Sequence, residues 1–241
     1  MGNTYLRIFF PAGKSSYTEH CPELATYQGR IYDIKSSKST RKIIYAFMPC
    51  FRKESKEELE ARCVLFFHDN SEDVGDCLPM LAKVRDILRA NVFAVEYPGY
   101  GINPSKASAD PDLIKQDSLD MFDFLTTKLG ISPKDILVFG RSIGSGAACY
   151  LSGKYPSVSN LLLLSPIFSV ERIVNDKIKW GSHLVSITNF FNNVEEVRKT
   201  HARLLVVHGM KDDVVPVQHG IDLVQVLALY YLRHTTATDR A

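Results

Sequence analysis

Five short apolar runs, each followed by sequence of a different texture, limit what this chain of 241 residues can become. "CVLFFH" (63–68), "NVFAVEY" (91–97), "DILVFG" (135–140), "NLLLLS" (160–165) and "ARLLVVHG" (202–209) are rich in Val, Ile, Leu and Phe. Runs with almost no polar alternation suit strands buried on both faces. Between them, "DCLPMLAKVRDILRA" (76–90) carries Leu78, Leu81, Ala82, Val84, Ile87 and Leu88 mostly on one side, with Pro79 expected in its first turn. "DLIKQDSLDMFDFLTTKLG" (112–130) sets Ile114, Leu119, Phe122, Leu125 and Leu129 on a stripe and stops at Gly130. Strands alternating with helices imply right-handed crossovers, hence an α/β fold with a mostly parallel central sheet and helices on both faces.

Upstream, "GRIYDI" and "RKIIYAFMP" are β-rich runs joined by "KSSKSTRK", which reads as a solvated hairpin loop. The segment 166–201 breaks the alternation with Phe168, Trp180, Phe190 and Phe191, and is expected to be a lid-like excursion. Residues 225–241 form an atypical end with no further strand-like run. One domain, 1–241, accounts for the pattern.

The formal net charge of +2 gives no electrostatic reason to expect nucleic acid as a partner. Cys21, Cys50, Cys63, Cys77 and Cys149 are irregularly spaced and contain no CxxC pair. Neither a metal knuckle nor a disulfide framework is expected, and a reducing compartment follows. No run reaches the length of a membrane span, and "MGNTYLRIFF" lacks the features of a secretory signal. Gly2 is followed by Leu6 where a myristoylation motif requires Ser or Thr.

The chemistry centres on "ILVFGRSIGSGAACYL" (136–151). A strand runs into Gly140-Arg141-Ser142-Ile143-Gly144 and small residues follow. A serine at a sharp strand-to-helix turn is held in strained geometry with its hydroxyl above the strand ends. Glycines two residues before and after leave room for strand and helix to pass closely. The helix then directs its free N–H groups at the reacting centre, and that of Ile143 can stabilise an oxyanion. A second donor is expected after an early strand, at Asn70 or Ser71 in "FFHDNSEDVGD", where the same residues could cap the next helix. A serine nucleophile needs a base and an orienting carboxylate. "LLVVHGMKDDVVP" supplies Asp212, with Asp213 in reserve.

Four segments carry a resemblance: "FFHDNSEDVGD" (66–76), "VFAVEYPGYG" (92–101), "ISPKDILVFGRSIGSGAA" (131–148) and "LLVVHGMKDDVVPVQHG" (204–220). Together they resemble the α/β-hydrolase superfamily, and within it the alpha/beta-hydrolase domain-containing protein 17 group of protein depalmitoylases. The resemblance implies an α/β-hydrolase fold with Ser142 as nucleophile, Asp212 as acid, and the backbones of Asn70 and Ile143 as oxyanion hole. It implies hydrolysis of S-palmitoyl thioesters on membrane-attached proteins, in the cytoplasm and peripherally at membranes, with no cofactor or metal. Tyr100 and Phe168 are candidates to line an acyl pocket, or plain core.

The chain departs from that group in three places. Asp69 stands where the group has glycine, at a position expected to favour positive φ. The first cysteine is Cys21, so an N-terminal palmitoylated cluster is not carried over. After helix-like 219–234 there is no last strand and no histidine loop, which leaves His234 as the candidate base. Two other readings stay open: a non-catalytic module that binds an acyl group or a partner protein, and a serine peptidase or carboxylesterase of the same fold.

Overall fold

A computed structural model describes residues 9–18, 22–50, 62–103, 109–177 and 190–238, with only the backbone described at 23, at 177 and from 233 on. A short helix α1 (Pro22–Thr26) leads into a hairpin of β1 (Arg30–Lys35) and β2 (Lys42–Met48). Its loop closes through the Ser36 N–H, which donates to the Arg41 carbonyl at 2.9 Å. Then come β3 (Cys63–Phe67), α2 (Val74–Leu88), β4 (Asn91–Glu96), α3 (Pro111–Asp123), β5 (Ile136–Arg141), α4 (Gly144–Lys154) and β6 (Asn160–Leu164). Helices α5 (Val170–Lys177) and α6 (Asn193–Val197), strand β7 (Arg203–Val207) and helix α7 (Gln218–Thr238) complete the order.

The seven strands form one sheet in the order β1-β2-β4-β3-β5-β6-β7. The pairs β1–β2 and β2–β4 are antiparallel and the remaining pairs are parallel. The continuous apolar runs are explained by the two cores. Leu65, Phe67, Val95 and Val138 face one core with Phe122, Leu125, Ala147 and Leu151. Val64, Phe66, Val92, Ala94 and Phe139 face the other with Val74, Leu78 and Leu81. Each fully buried Leu or Phe contributes about 1.5–3 kcal/mol, so β3, buried along its whole length, anchors the strand ends that carry the site. At the other extreme β7 lies on the sheet edge among the described residues, with Leu205 59% and Val207 48% exposed.

Helix α2 starts earlier than the apolar stripe from residue 76 implies. It starts at Val74, because Asp73 forms a capping box: its carboxylate accepts from the Asp76 N–H, and the Asp76 carboxylate accepts from the Asp73 N–H. Pro79 therefore lies in the second turn, and the cap is Asp73 instead of Asn70 or Ser71. Helix α3 ends its regular part at Asp123, continues as a π turn (Phe124–Lys128), and is stopped by Gly130 at φ +70°. The excursion 166–201 supplies α5 and α6, while 178–189, Trp180 included, lies outside the described residues, as do Gly2, Leu6 and Cys21. Cys50, Cys63, Cys77 and Cys149 are buried and free, and burial pushes the Cys63 thiol up to about 12. No described helix is long and apolar enough to cross a membrane.

Candidate active site

Strand β5 ends at Arg141, helix α4 begins at Gly144, and Ser142 between them has φ +50°. That conformation costs a residue with a Cβ roughly 1–2 kcal/mol, so the surroundings must hold it. The Ser142 N–H donates to the Leu164 carbonyl of β6 at 2.9 Å. Its carbonyl accepts from the Ser145 N–H at 3.0 Å and the Ser145 hydroxyl at 2.5 Å. The flanking glycines are required by contact. A Cβ on Gly140 would lie 2.6 Å from the Gly144 carbonyl oxygen, and one on Gly144 would run into the carbonyl oxygens of Phe67 and His68. The elbow thus sits directly against the end of β3. The N–H of Ile143, just before α4, is one of those no intrahelical carbonyl can take.

The loop after β3 is held by three side chains on three successive carbonyls. The Tyr97 hydroxyl donates to His68 O at 2.8 Å, His68 Nδ1 lies 2.7 Å from Asp69 O, and the Tyr100 hydroxyl donates to Asn70 O at 2.9 Å. Asp69 is not among the residues with positive φ, so the expectation drawn from the group's glycine fails there. Its carboxylate instead closes a local turn, accepting from the Ser71 N–H at 2.7 Å and hydroxyl at 2.8 Å. His68 is fully buried and stacks on Tyr97 with ring centres 3.8 Å apart. Its Nε2 lies 3.1 Å from Glu96 Oε1, an ion-pair distance outside hydrogen-bond geometry. Glu96 Oε2 accepts from the Tyr17 hydroxyl at 2.7 Å and the Val74 N–H at 3.1 Å. Burial alone would lower the His68 pKa, but the Glu96 carboxylate outweighs it and the net shift is upward.

Asp212 lies in the loop after β7. Its Oδ1 accepts from the N–H groups of Val214 at 3.0 Å and Val215 at 2.9 Å. Burial pulls its pKa up, but those amides and the Ser165 hydroxyl more than offset it, and the carboxyl titrates below its usual range. Ser165 has φ +46°, and its N–H donates to Val207 O at 2.8 Å. Residues 164 and 165 therefore bridge the site: Leu164 O holds Ser142, and Ser165 faces Asp212.

Among curated proteins the chain is similar to the human alpha/beta hydrolase domain-containing protein 17C, 27% identical over 158 residues. That match covers 66% of this chain and 46% of the relative. The human 17B protein is 27% identical over 160 residues, covering 66% of this chain and 53% of that protein. The chain spans about half the length of the curated relatives it matches. No family model matches. Among solved structures, an esterase of Pyrococcus furiosus superposes with a TM-score of 0.64 at 15% identity, over 92% of this chain and 84% of that one. The chain has the α/β-hydrolase fold.

In this α/β-hydrolase-fold chain the histidines are distributed unevenly around the site. His219 is buried and committed on both nitrogens: Nδ1 accepts from the Phe168 N–H at 2.9 Å, and Nε2 lies 2.7 Å from Asp176 Oδ2. Desolvation lowers its pKa in spite of Asp176. His208 Nε2 donates to Val215 O at 2.8 Å and stands 3.6 Å from Asp212 Oδ2, while its Nδ1 faces Gly220. Among the described residues no histidine hydrogen-bonds the Ser142 hydroxyl. His234 belongs to α7, but its side chain lies outside the described residues, as do His20 and His183.

Tyr100 is 3% exposed and props the loop through Asn70. Phe168 is half-buried, with the Arg172 guanidinium 5.0 Å above its ring. The sequence pattern assigned no role to Glu96, Glu72, Ser165, Tyr97 or Tyr17. A charge inside "NVFAVEY" was the one legible signal, since a carboxylate in a buried run needs partners.

Proposed function

We propose that the chain is a serine hydrolase of acyl esters and thioesters, with S-acylated proteins as substrates at cytoplasmic membrane surfaces. The observation that carries this is Ser142 at φ +50°, locked between a strand end and a helix start with no room for a Cβ at Gly140 or Gly144. A strained serine at such a turn has its hydroxyl free of the helix and beside the free amides of α4. Ser142 Oγ would attack the acyl carbonyl, and the Asn70 and Ile143 N–H groups would receive the developing oxyanion. The thiol or alcohol leaves, and water then releases the acid from the acyl-enzyme. Asp212, held ionised by its amide partners, would orient the base, for which His234 is the candidate. The similarity to α/β hydrolase domain-containing proteins supports the reaction class.

The test is labelling of the purified protein by a fluorophosphonate probe. Ser142→Ala should abolish labelling. Labelling that survives the substitution would place the nucleophile elsewhere.

A second reading, a non-catalytic module that binds acyl groups or proteins, is favoured by one observation. His219 is engaged on both ring nitrogens, and His208 is turned towards Val215 and Gly220. It predicts no Ser142-dependent turnover of a palmitoyl thioester by a normally folded chain. Loss of a triad member leaves about 10³–10⁴-fold catalysis over water, so the deciding comparison is wild type against Ser142→Ala.

A further inference from the structure

We propose that His68 is a positioning residue of the oxyanion hole: its Nδ1–H donates to the Asp69 carbonyl and so fixes the peptide group whose N–H belongs to Asn70. The inference rests on the reading of Asn70 as a hole donor. The Asp69 carbonyl and the Asn70 N–H are two ends of one planar trans peptide, and they point in opposite directions. A bond that fixes one end fixes the other. His68 Nδ1 lies 2.7 Å from Asp69 O, and a carbonyl oxygen can only accept, so Nδ1 carries the proton. With the carbonyl turned towards a fully buried ring, the Asn70 N–H is directed away from the interior. A donor on the carbonyl also polarises the amide, which strengthens the N–H as a donor in turn.

The ring cannot turn to release that bond. It stacks on Tyr97, and its other nitrogen faces Glu96 at 3.1 Å. Glu96 is itself held by Tyr17 and by the Val74 N–H at the start of α2. The neighbouring carbonyls, His68 O and Asn70 O, are clamped by Tyr97 and Tyr100, so the peptide between them has no freedom to flip alone. The backbone carbonyls of Phe67 and His68, which lead into this loop, lie directly against Gly144 of the elbow.

The experiment compares His68→Asn, whose side-chain amide can replace the Nδ1 donor, with His68→Phe, each carrying Glu96→Gln to avoid an uncompensated buried carboxylate. Two readouts are taken: the rate of Ser142 labelling by a fluorophosphonate, and the ¹⁵N–¹H shift of the Asn70 amide. Removal of a hole donor costs about 10²–10³-fold. The Phe/Gln variant should therefore label roughly 10- to 100-fold more slowly and show a displaced Asn70 amide. The Asn/Gln variant should stay within about threefold of wild type on both counts, the reduced loss reflecting a retained donor. A folded Phe/Gln variant with wild-type labelling and an unmoved Asn70 amide overturns the proposal. If the Phe/Gln variant does not fold, an Asn/Gln variant with slowed labelling and a displaced Asn70 amide overturns it, and wild-type values in both support it. If wild type itself is not labelled, the hydrolase reading fails, and the Asn70 amide alone decides the positioning: moved in Phe/Gln and not in Asn/Gln supports it, unmoved in Phe/Gln overturns it.

Discussion

Arg141 Nη1 donates to both carboxylate oxygens of Glu72, at 2.8 and 2.7 Å. Arg141 precedes the nucleophile candidate, and Glu72 follows Asn70 by two residues, so the pair ties the two halves of the hole together. The side chains are 35% and 14% exposed. A pair in that setting contributes up to about 1 kcal/mol to stability, but misplacement by about 1 Å can cost up to about 100-fold in rate. Arg141→Met is therefore expected to lower Ser142 labelling about tenfold while shifting stability by about 1 kcal/mol or less. Glu72→Gln should act in the same direction. The double variant should be no slower than the slower single variant, because both remove one interaction.

Strain at Ser142 gives a second prediction. Glycine adopts φ +50° without the Cβ penalty, whereas alanine keeps it. Ser142→Gly should therefore be more stable than Ser142→Ala by about 1 kcal/mol, after the entropy glycine adds to the unfolded chain. For a chain of this size that is about 2–4 °C in Tm by calorimetry. Both variants lose labelling. An alanine variant as stable as the glycine one would show that the turn relaxes and that strain is not stored there.

A third prediction concerns the hairpin. Asp117 is almost completely buried and paired with Arg41. Burial pushes its carboxyl up to about 6, with Arg41 pulling the other way. A raised carboxylate means the folded state holds its proton longer than the unfolded one. Its contribution is fully present below the ordinary value of 3.8 and lost as pH rises through about 6. Two units correspond to about 3 kcal/mol at most. The stability of wild type relative to Asp117→Asn should therefore fall as pH rises from 4 to about 6.5 in urea titrations, and level off above. A difference independent of pH would show that Arg41 compensates the burial fully.

Parallel topology was legible because β3, β4 and β5 face a core on each side, and burial on both sides leaves no polar alternation in the sequence. The elbow was legible because steric exclusion at Gly140 and Gly144 writes itself as glycine. The start of α2 lies between the caps offered by Asn70 and Ser71 and the apolar stripe from residue 76, because the capping box of Asp73 and Asp76, and not Pro79, sets the boundary. The network behind Asn70 was hidden for a different reason. His68, the adjacent Glu96 and Tyr97, and Tyr17 come from three distant segments, and only the tertiary fold brings them together. His208 and His219 have structural partners, and the His234 side chain lies outside the described residues.

Asp212 and Asp213 are adjacent in sequence and differ in setting. Asp212 accepts two backbone N–H bonds, lies 3.6 Å from His208 Nε2 and is reached by Ser165. Asp213 is exposed in the same turn. Asp212→Asn keeps one acceptor for those amides but removes the charge that would orient a base. Labelling is expected to drop by roughly 10²-fold or more, with about 1–2 kcal/mol of stability lost. Asp213→Asn should leave labelling within about twofold and stability within about 0.5 kcal/mol. Fluorophosphonate rates and urea midpoints on the two variants separate the roles. The reverse order of effects would move the acid to Asp213, and equal small effects would remove a carboxylate from the mechanism.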